Sequence, residues 1–359
     1  MSGIRMNRRT ALQLLAAAGA ASTVAPSRLF ASDAVALREF SWAGPYETVP
    51  RRVTEEFIAA NPGVSVDIIV GTNGGVYPQV EASVAVDRSQ PHVHFGMFNQ
   101  EAAERGVRAK LWAELSPELV PNLAKVPAAY REMNPFGATF AMDVCGLAYN
   151  KDLIEAPTSW DAIWDPKYKG KVAIIENFWA GNGLLMAARM NGGSEDNIEP
   201  GIAIYEEAAR NGQFHSFVTS NAQMQQLLVQ GEIVIAAHSR SVIRPWEKAG
   251  APIGFVAPEE GMVELPLGYH LVDGGTDAEK AKAQQLINAL IDPAAVSEMV
   301  QATLALPLIE GVATPEDVAA DPTVSAESLA NTVKLDFAKV AQNGAEWAQI
   351  WGRRVRAAL

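Results

Sequence analysis

Hydrophobic residues in this chain switch repeatedly between a period of two and a period near 3.6, which fixes an order of strands and helices. Leu37-Arg38-Glu39-Phe40-Ser41-Trp42 alternates as a strand and ends at the turn Ala43-Gly44-Pro45. Residues 47–60 then carry Val49, Val53, Phe57 and Ile58 at helical spacing, stopped by Asn61-Pro62-Gly63. Val64–Val70 is a second strand, followed by the glycine turn Gly71–Gly75 and a helix holding Val80, Val84 and Val86. After Pro91, the segment 92–96 reads as a third strand. Strands alternating with helices in this way close as a parallel sheet with helices on its faces.

The pattern resumes at Val172–Ile175, with helices expected at 182–191, 200–211 and 221–230. Ile233–Ala237 is a continuous apolar run suited to a strand buried on both sides. Helices at 277–291 and 293–302 follow, and an amphipathic segment over 334–356 ends the chain. A length of 359 residues suits two α/β lobes better than one small domain. The 41 acidic against 29 basic residues give a net charge of −12, which argues against nucleic acid or an anionic membrane as partner. Cys145 is the one cysteine, so neither a disulfide within the chain nor a CxxC site is available.

Residues 1–31 contain Arg5, Arg8, Arg9 and Arg28 and no acid, and the apolar run Ala11–Ala21 is too short to span a bilayer comfortably. The stretch Asn7–Gln13 resembles a twin-arginine export signal, with Ala11 and Gln13 departing from the usual pattern. A Sec signal is the competing reading, and cleavage is expected near Ala31, with Ala34 as the alternative. Losing four arginines leaves 25 basic residues against 41 acidic ones, so the expected product is an acidic periplasmic protein.

The string Thr158-Ser159-Trp160-Asp161-Ala162-Ile163-Trp164-Asp165-Pro166-Lys167-Tyr168-Lys169-Gly170-Lys171-Val172 resembles the central segment of bacterial extracellular solute-binding proteins, in the branch serving ABC importers of polyamines and ferric iron. Gly146–Lys151, Gln230-Gly231-Glu232, Ala281–Pro293 and the Trp347–Trp351 tail are weaker matches, and together they extend over nearly the whole mature chain. The resemblance implies an α/β fold of the type II periplasmic-binding-protein kind, two lobes joined by crossing strands and closing on a solute. The expected first lobe is 35–142 plus 268–325, the second 143–267, with 326–359 a helical segment packing on both. Hinges are expected near 142–148 and 266–272. The string itself has a structural reading: Trp160 and Trp164 would anchor a helix, Asp165-Pro166 would end it, and Gly170 would turn into the next strand.

Candidate binding residues lie where strands end at the cleft. Trp42 and Tyr46 occupy a turn resembling the family's first ligand-contacting loop, where an aromatic ring can hold an amine by cation–π attraction. Asn73 stands in Thr72-Asn73-Gly74-Gly75, whose backbone N–H groups suit an anion, although a plain turn explains them equally well. Glu176, Asn177 and Trp179 match the loop where polyamine binders place a carboxylate; a solvated helix start is the plainer reading. Ser220-Asn221 resembles a capping segment turned toward the ligand and also reads as an ordinary N-cap. Arg240, beside Ser239, Ser241 and Arg244, could hold something negative or pair with nearby acids. Tyr269 falls where the chain crosses back.

Two departures limit what the resemblance implies about the ligand. The aromatic and aspartate that polyamine binders carry near the second crossing are replaced by Glu264-Leu265-Pro266-Leu267, and the adjacent tyrosines of ferric binders have no counterpart. His92 and His94 would share one face of a strand, but no third ligand is spaced to complete a metal site, and no cofactor is expected. No Gly-x-Ser-x-Gly, HExxH, P-loop or GxGxxG pattern supports an enzyme. The expectation is a monomeric receptor that captures a small polar solute, first a polyamine such as spermidine or putrescine, and delivers it to an ABC permease and its ATPase. Alternatives are a zwitterionic or anionic solute (amino-acid-like, opine or phosphonate), ferric iron, an exported enzyme, or a sensor docking on a signalling receptor.

Overall fold

The computed structural model describes residues 34–176 and 178–359; the export signal expected over 1–31 and Asn177 lie outside them. Among the described residues the strands are β1 (Val35–Ser41), β2 (Val64–Val70), β3 (Phe95–Asn99), β4 (Trp112–Ala113), β5 (Gly137–Asn150), β6 (Val172–Ile175), β7 (Phe214–Val218), β8 (Ile235–Ser239), β9 (Ile253–Val256), β10 (Val263–Val272) and β11 (Leu306–Pro307). They form one sheet whose main path is β2-β1-β3-β10-β5-β8-β6-β7. β1 runs parallel to β2 along its full length and to β3 at Glu39 and Phe40. Gly96 permits that second pairing, because a Cβ there would come within 2.5 Å of the Phe40 Cβ.

Two long antiparallel strands carry the chain between the halves of the sheet. Toward its C-terminal end, β10 pairs with β3 from Leu267 to Leu271. The second half of β5 pairs with β8 from Cys145 to Tyr149 and with β9 from Leu147 to Asn150. Between these regions β5 and β10 pair with each other, with one irregularity between Leu267 and Gly268 that leaves Phe140 as an extra residue on β5. Pro266, opposite Met142, has no N–H to give the ladder. β11 adds a third connection by pairing with Met142 and Ala141 of β5. This is the two-lobe α/β fold that the sequence implied, and the crossings fall where the hinges were expected.

Most elements lie within three residues of their expected positions. The third strand begins at Phe95 because His94 is engaged by Arg38: its backbone N–H donates to Arg38 O (2.8 Å), and its Nδ1 accepts from Arg38 N (2.9 Å). Trp160 lies on a 3₁₀ turn, Trp160–Ile163, and not on an α-helix. It nonetheless anchors its surroundings, fully buried, with its indole N–H donating to Gly261 O at 2.9 Å. His94 stands 3.6 Å from Glu279, and no group of three or more His, Cys, Asp or Glu side chains converges as a metal site among the described residues.

Residues 304–325 were expected to belong to the first lobe. Leu304, Val318 and Val324 instead pack in one core with Val144, Ala148, Val218 and Leu228. The final helix, Phe337–Ile350, touches both halves. It lies against the helix Gln100–Arg108, where Arg108 donates to Gln342 at 3.2 Å, and against Trp179 through Trp347.

Candidate functional site

Strand directions set which loops of the two halves face each other. β1, β2 and β3 run the same way as β5, since β3 and β5 are each antiparallel to β10. β6, β7 and β8 run the opposite way, since β8 is antiparallel to β5 and parallel to β6, which is parallel to β7. β5 leads from the first half to the second. The carboxyl ends of β1–β3 therefore point at the carboxyl ends of β6–β8, and the loops after those six strands face each other. Ligands of open α/β sheets bind at such ends.

The loop after β1 begins at Trp42, and Gly44 (φ 75°) turns it into the helix Pro45–Ala60. That turn holds the Trp42 ring edge-on to Tyr46 at 5.2 Å between centroids. Trp42 is partly buried, and its indole N–H has no partner. Tyr46 is buried; its hydroxyl donates to Ser241 Oγ at 3.0 Å, joining the first turn of the helix Pro45–Ala60 to the helix Arg240–Lys248 after β8. Ser241 Oγ in turn donates to Asp143, whose other oxygen accepts from Ser241 N (3.0 Å) and Val144 N (2.8 Å). A hydroxyl chain thus runs from one half through the other to the crossing strand. Burial raises Asp143 above the ordinary aspartate range despite these donors and Arg240 nearby.

After β2, Asn73 opens the helix Asn73–Val86, capped by Thr72, whose side chain accepts from Gly75 N at 3.2 Å. The Asn73 side-chain oxygen is buried and has no partner. After β3, Asn99 caps the helix Gln100–Arg108 by accepting from Ala102 N at 2.9 Å. Trp42, Asn73 and this helix therefore follow three neighbouring strands at one edge of the sheet.

The second half presents its charges already paired. Glu176 receives Arg356 at Nε (2.9 Å) and the Trp351 indole N–H (3.1 Å). An ammonium arriving there must displace a guanidinium of the same chain. Trp179 is buried in the same aromatic cluster, edge-on to Trp347 (6.1 Å) and Trp351 (6.2 Å), so it clamps the C-terminal segment. Arg240 is 2% exposed, and its guanidinium holds Asp321 through Nε (2.9 Å) and Nη2 (2.6 Å) and donates to Leu304 O. Arg244 grips the same carboxylate at 2.8 and 2.9 Å. Burial alone would raise Asp321, but Arg240, the Thr323 hydroxyl and Arg244 hold it below its ordinary value. Of the two readings open for Arg240 in the sequence, the pairing with a nearby acid describes its contacts.

Ser220 is an exposed N-cap accepting from Gln223 N at 3.2 Å. Next to it, Asn221 Oδ1 lies 3.0 Å from His238 Nε2. Burial lowers His238 to about 4, so the ring is neutral. Tyr269 is 1% exposed and stacked on Phe140 at 5.3 Å, with its hydroxyl unpartnered; burial, with Glu39 and Tyr46 adding to it, pushes it far above the usual phenol range.

The structure thus brings Trp42, Tyr46 and Asn73 to one edge and commits Glu176, Trp179 and Arg240 to internal partners. Two residues escaped the sequence reading. Asn182, after β6, is fully buried with an unpartnered amide nitrogen. Asp143 lies within a crossing strand whose apolar pattern hides it.

The sequence profile of the family described as bacterial extracellular solute-binding protein matches residues 53–326. A search of curated proteins finds no match. Similar solved structures include an ABC transporter substrate-binding protein from Bradyrhizobium japonicum (20% identity, TM-score 0.70, 90% of this chain and 99% of that one). The binding protein AgtB from A. tumefaciens in complex with agropinic acid gives 19% identity and a TM-score of 0.71, with coverage of 90% and 99%. The spermidine/putrescine substrate-binding protein PotD from Streptococcus pneumoniae gives 14% and 0.66, with coverage of 89% and 99%. At these identities the likeness is one of fold.

Proposed function

Because the chain belongs to the bacterial extracellular solute-binding family, we propose that it is the periplasmic receptor of an ABC importer and takes up a small organic cation, first a polyamine such as spermidine or putrescine. The solute enters between the loops after β1–β3 and those after β6–β8, the lobes close on it, and the closed form docks on the permease. The first lobe is assigned to 35–142 and 268–303 and the second to 143–267, with 304–325 packed on the second and 326–359 spanning both. The receptor acts as a monomer and performs no chemistry.

The observation that carries this reading is the unpartnered indole of Trp42 at the meeting edge of the two half-sheets. An aromatic face and a free N–H at a strand end suit a solute with both an ammonium and an acceptor. PotD, of similar fold, is named for spermidine and putrescine. An anionic solute fits less well, because Arg240 and Arg244 already share Asp321.

The test is a thermal-shift panel of polyamines, amino acids, opines, phosphonates and ferric citrate, followed by titration of the responding compound. A solute at about 100 times its dissociation constant adds roughly 2.7 kcal/mol of stability. Trp42→Ala is expected to weaken binding roughly 3- to 30-fold, as the loss of a cation–π contact implies, with little change in melting temperature. Unchanged affinity removes the cleft reading, and a response only to anions removes the polyamine.

A further inference from the structure

Resting on the hinged-closure reading above, we propose that the final helix, Phe337–Ile350, is a latch carried by the second lobe, whose hold on the helix Gln100–Arg108 of the first lobe sets how readily the lobes part. Its two attachments are unequal. To the second lobe it is fixed along its length. Asp336 N donates to Glu195 Oε1 at 3.0 Å, Lys339 pairs with Asp196, Asn343 Nδ2 donates to Glu195 O at 2.8 Å, and Trp347 meets Trp179 edge-on at 6.1 Å. These four positions recur at intervals of three or four residues, so they form one stripe of the helix. Past its end, Trp351 against Tyr205 and Arg354 with Glu206 continue the same attachment.

Toward the first lobe the contact is thin. Among the described residues, one side-chain hydrogen bond joins the two helices, from Arg108 Nη1 to Gln342 Oε1 at 3.2 Å. Beside it the seam is not closed: a cavity of about 310 Å³ lies between Ala341 and Tyr77, Glu81, Arg105 and Arg108. Burial, with Asp336 adding to it, raises Glu104 above the ordinary glutamate range, so a like-charge contact also opposes this seam. A single hydrogen bond shifts an equilibrium roughly two- to tenfold, whereas emptying two buried tryptophan sites costs far more. The first-lobe side therefore gives way first. Trp179 follows β6 and the helix Gln100–Arg108 follows β3, at strand ends that face each other, so parting those ends draws the final helix off the first lobe. A contact made only when the lobes are together adds to solute affinity although it lies outside the cleft. A helix that merely completed a core would be held equally on both sides and would tie the lobes together.

The experiment is distance measurement by pulsed electron paramagnetic resonance on the intact exported protein. Cys145 is buried, so spin labels go to exposed positions: Glu346→Cys on the final helix, with Val86→Cys on the first lobe or Glu207→Cys on the second. Without solute, support is a narrow distribution for the 346–207 pair and a broad one, with a longer component, for the 346–86 pair. Arg108→Ala and Gln342→Ala should each raise the ratio of the longer component roughly two- to tenfold, and the double variant should go no further, because the two residues share one bond. A 346–207 distribution broader than the 346–86 one means that the helix travels with the first lobe, and overturns the proposal. So do two narrow distributions that stay narrow in Arg108→Ala, which would describe a fixed tie. Putrescine and spermidine are then added as probes: collapse of the 346–86 distances to the short component supports the latch. If neither amine has an effect the polyamine reading fails, while the solute-free distributions still decide the latch.

Discussion

Glu39 is fully buried on β1; one of its oxygens accepts from Thr54 Oγ1 at 2.8 Å and the other has no partner. Burial pushes its carboxyl up to about 7, against the help of Thr54 and Arg51. Below the ordinary glutamate range both folded and unfolded chains hold the proton, and nothing is lost. Between there and about pH 7 the unfolded chain ionises first, so stability falls as pH rises, by about 3 kcal/mol once the folded state has also ionised. Glu39→Gln should therefore match wild type near pH 4 and exceed it at pH 8; equal urea midpoints at pH 8 would refute this. His270, held neutral at about 3 by burial, acts in the opposite sense and costs stability on acidification. None of this was readable in the sequence, where Glu39 looks like the polar half of an alternating strand. Arg240 teaches the same lesson: its partner, Asp321, lies 81 positions away, and only the fold brings them together.

Elements were more legible than residues, because period and punctuation are local. Val64–Val70 and Asn221–Gln230 match their expected bounds, fixed by Gly63, the Ser220 cap and Gly231. β7 went unread because Phe214–Val218 is short and half-exposed, with no alternation of its own. The C-terminal segment was expected as a helical segment packing on the lobes, but the contacts that hold it could not be read from its sequence. Trp351 is 3% exposed and lies against Tyr205 (5.4 Å) and Phe217 (5.2 Å), while Arg354 meets Glu199 and Glu206. Trp351→Ala should cost about 3–5 kcal/mol, the range for emptying a buried tryptophan site. It should also free Glu176 of its indole donor. A melting temperature within a degree or two of wild type would mean that the tail only rests on the surface.

At the scale of the molecule, the Tyr46–Ser241 hydrogen bond connects groups that lobe separation would part. Tyr46→Phe should leave each lobe folded and weaken solute binding by the net worth of one hydrogen bond, about 0.5–1.5 kcal/mol. The same variant should show a larger radius of gyration than wild type by X-ray scattering at sub-saturating solute. Identical scattering curves would show that this contact does not bias closure. Two-lobe architecture was legible in the sequence through the Ser159–Lys171 string and the strand order, whereas the pairing of charges across the molecule was not.

At one level of the sheet, Pro266 gives the ladder no N–H, and a step further on Phe140 swells β5 by a residue. Paper folds where it has been scored. Between β5 and β10 that line has fewer rungs, while β11 pairs with β5 at the same level, so a lobe closure would turn about a crease bounded by these strands. For the proposed closure turning about that line, loops at the carboxyl ends would move along arcs centred on it, and those farthest from it would sweep the longest path. Solutes of different length would be met at different angles of the same arc, without any change in the residues that touch them.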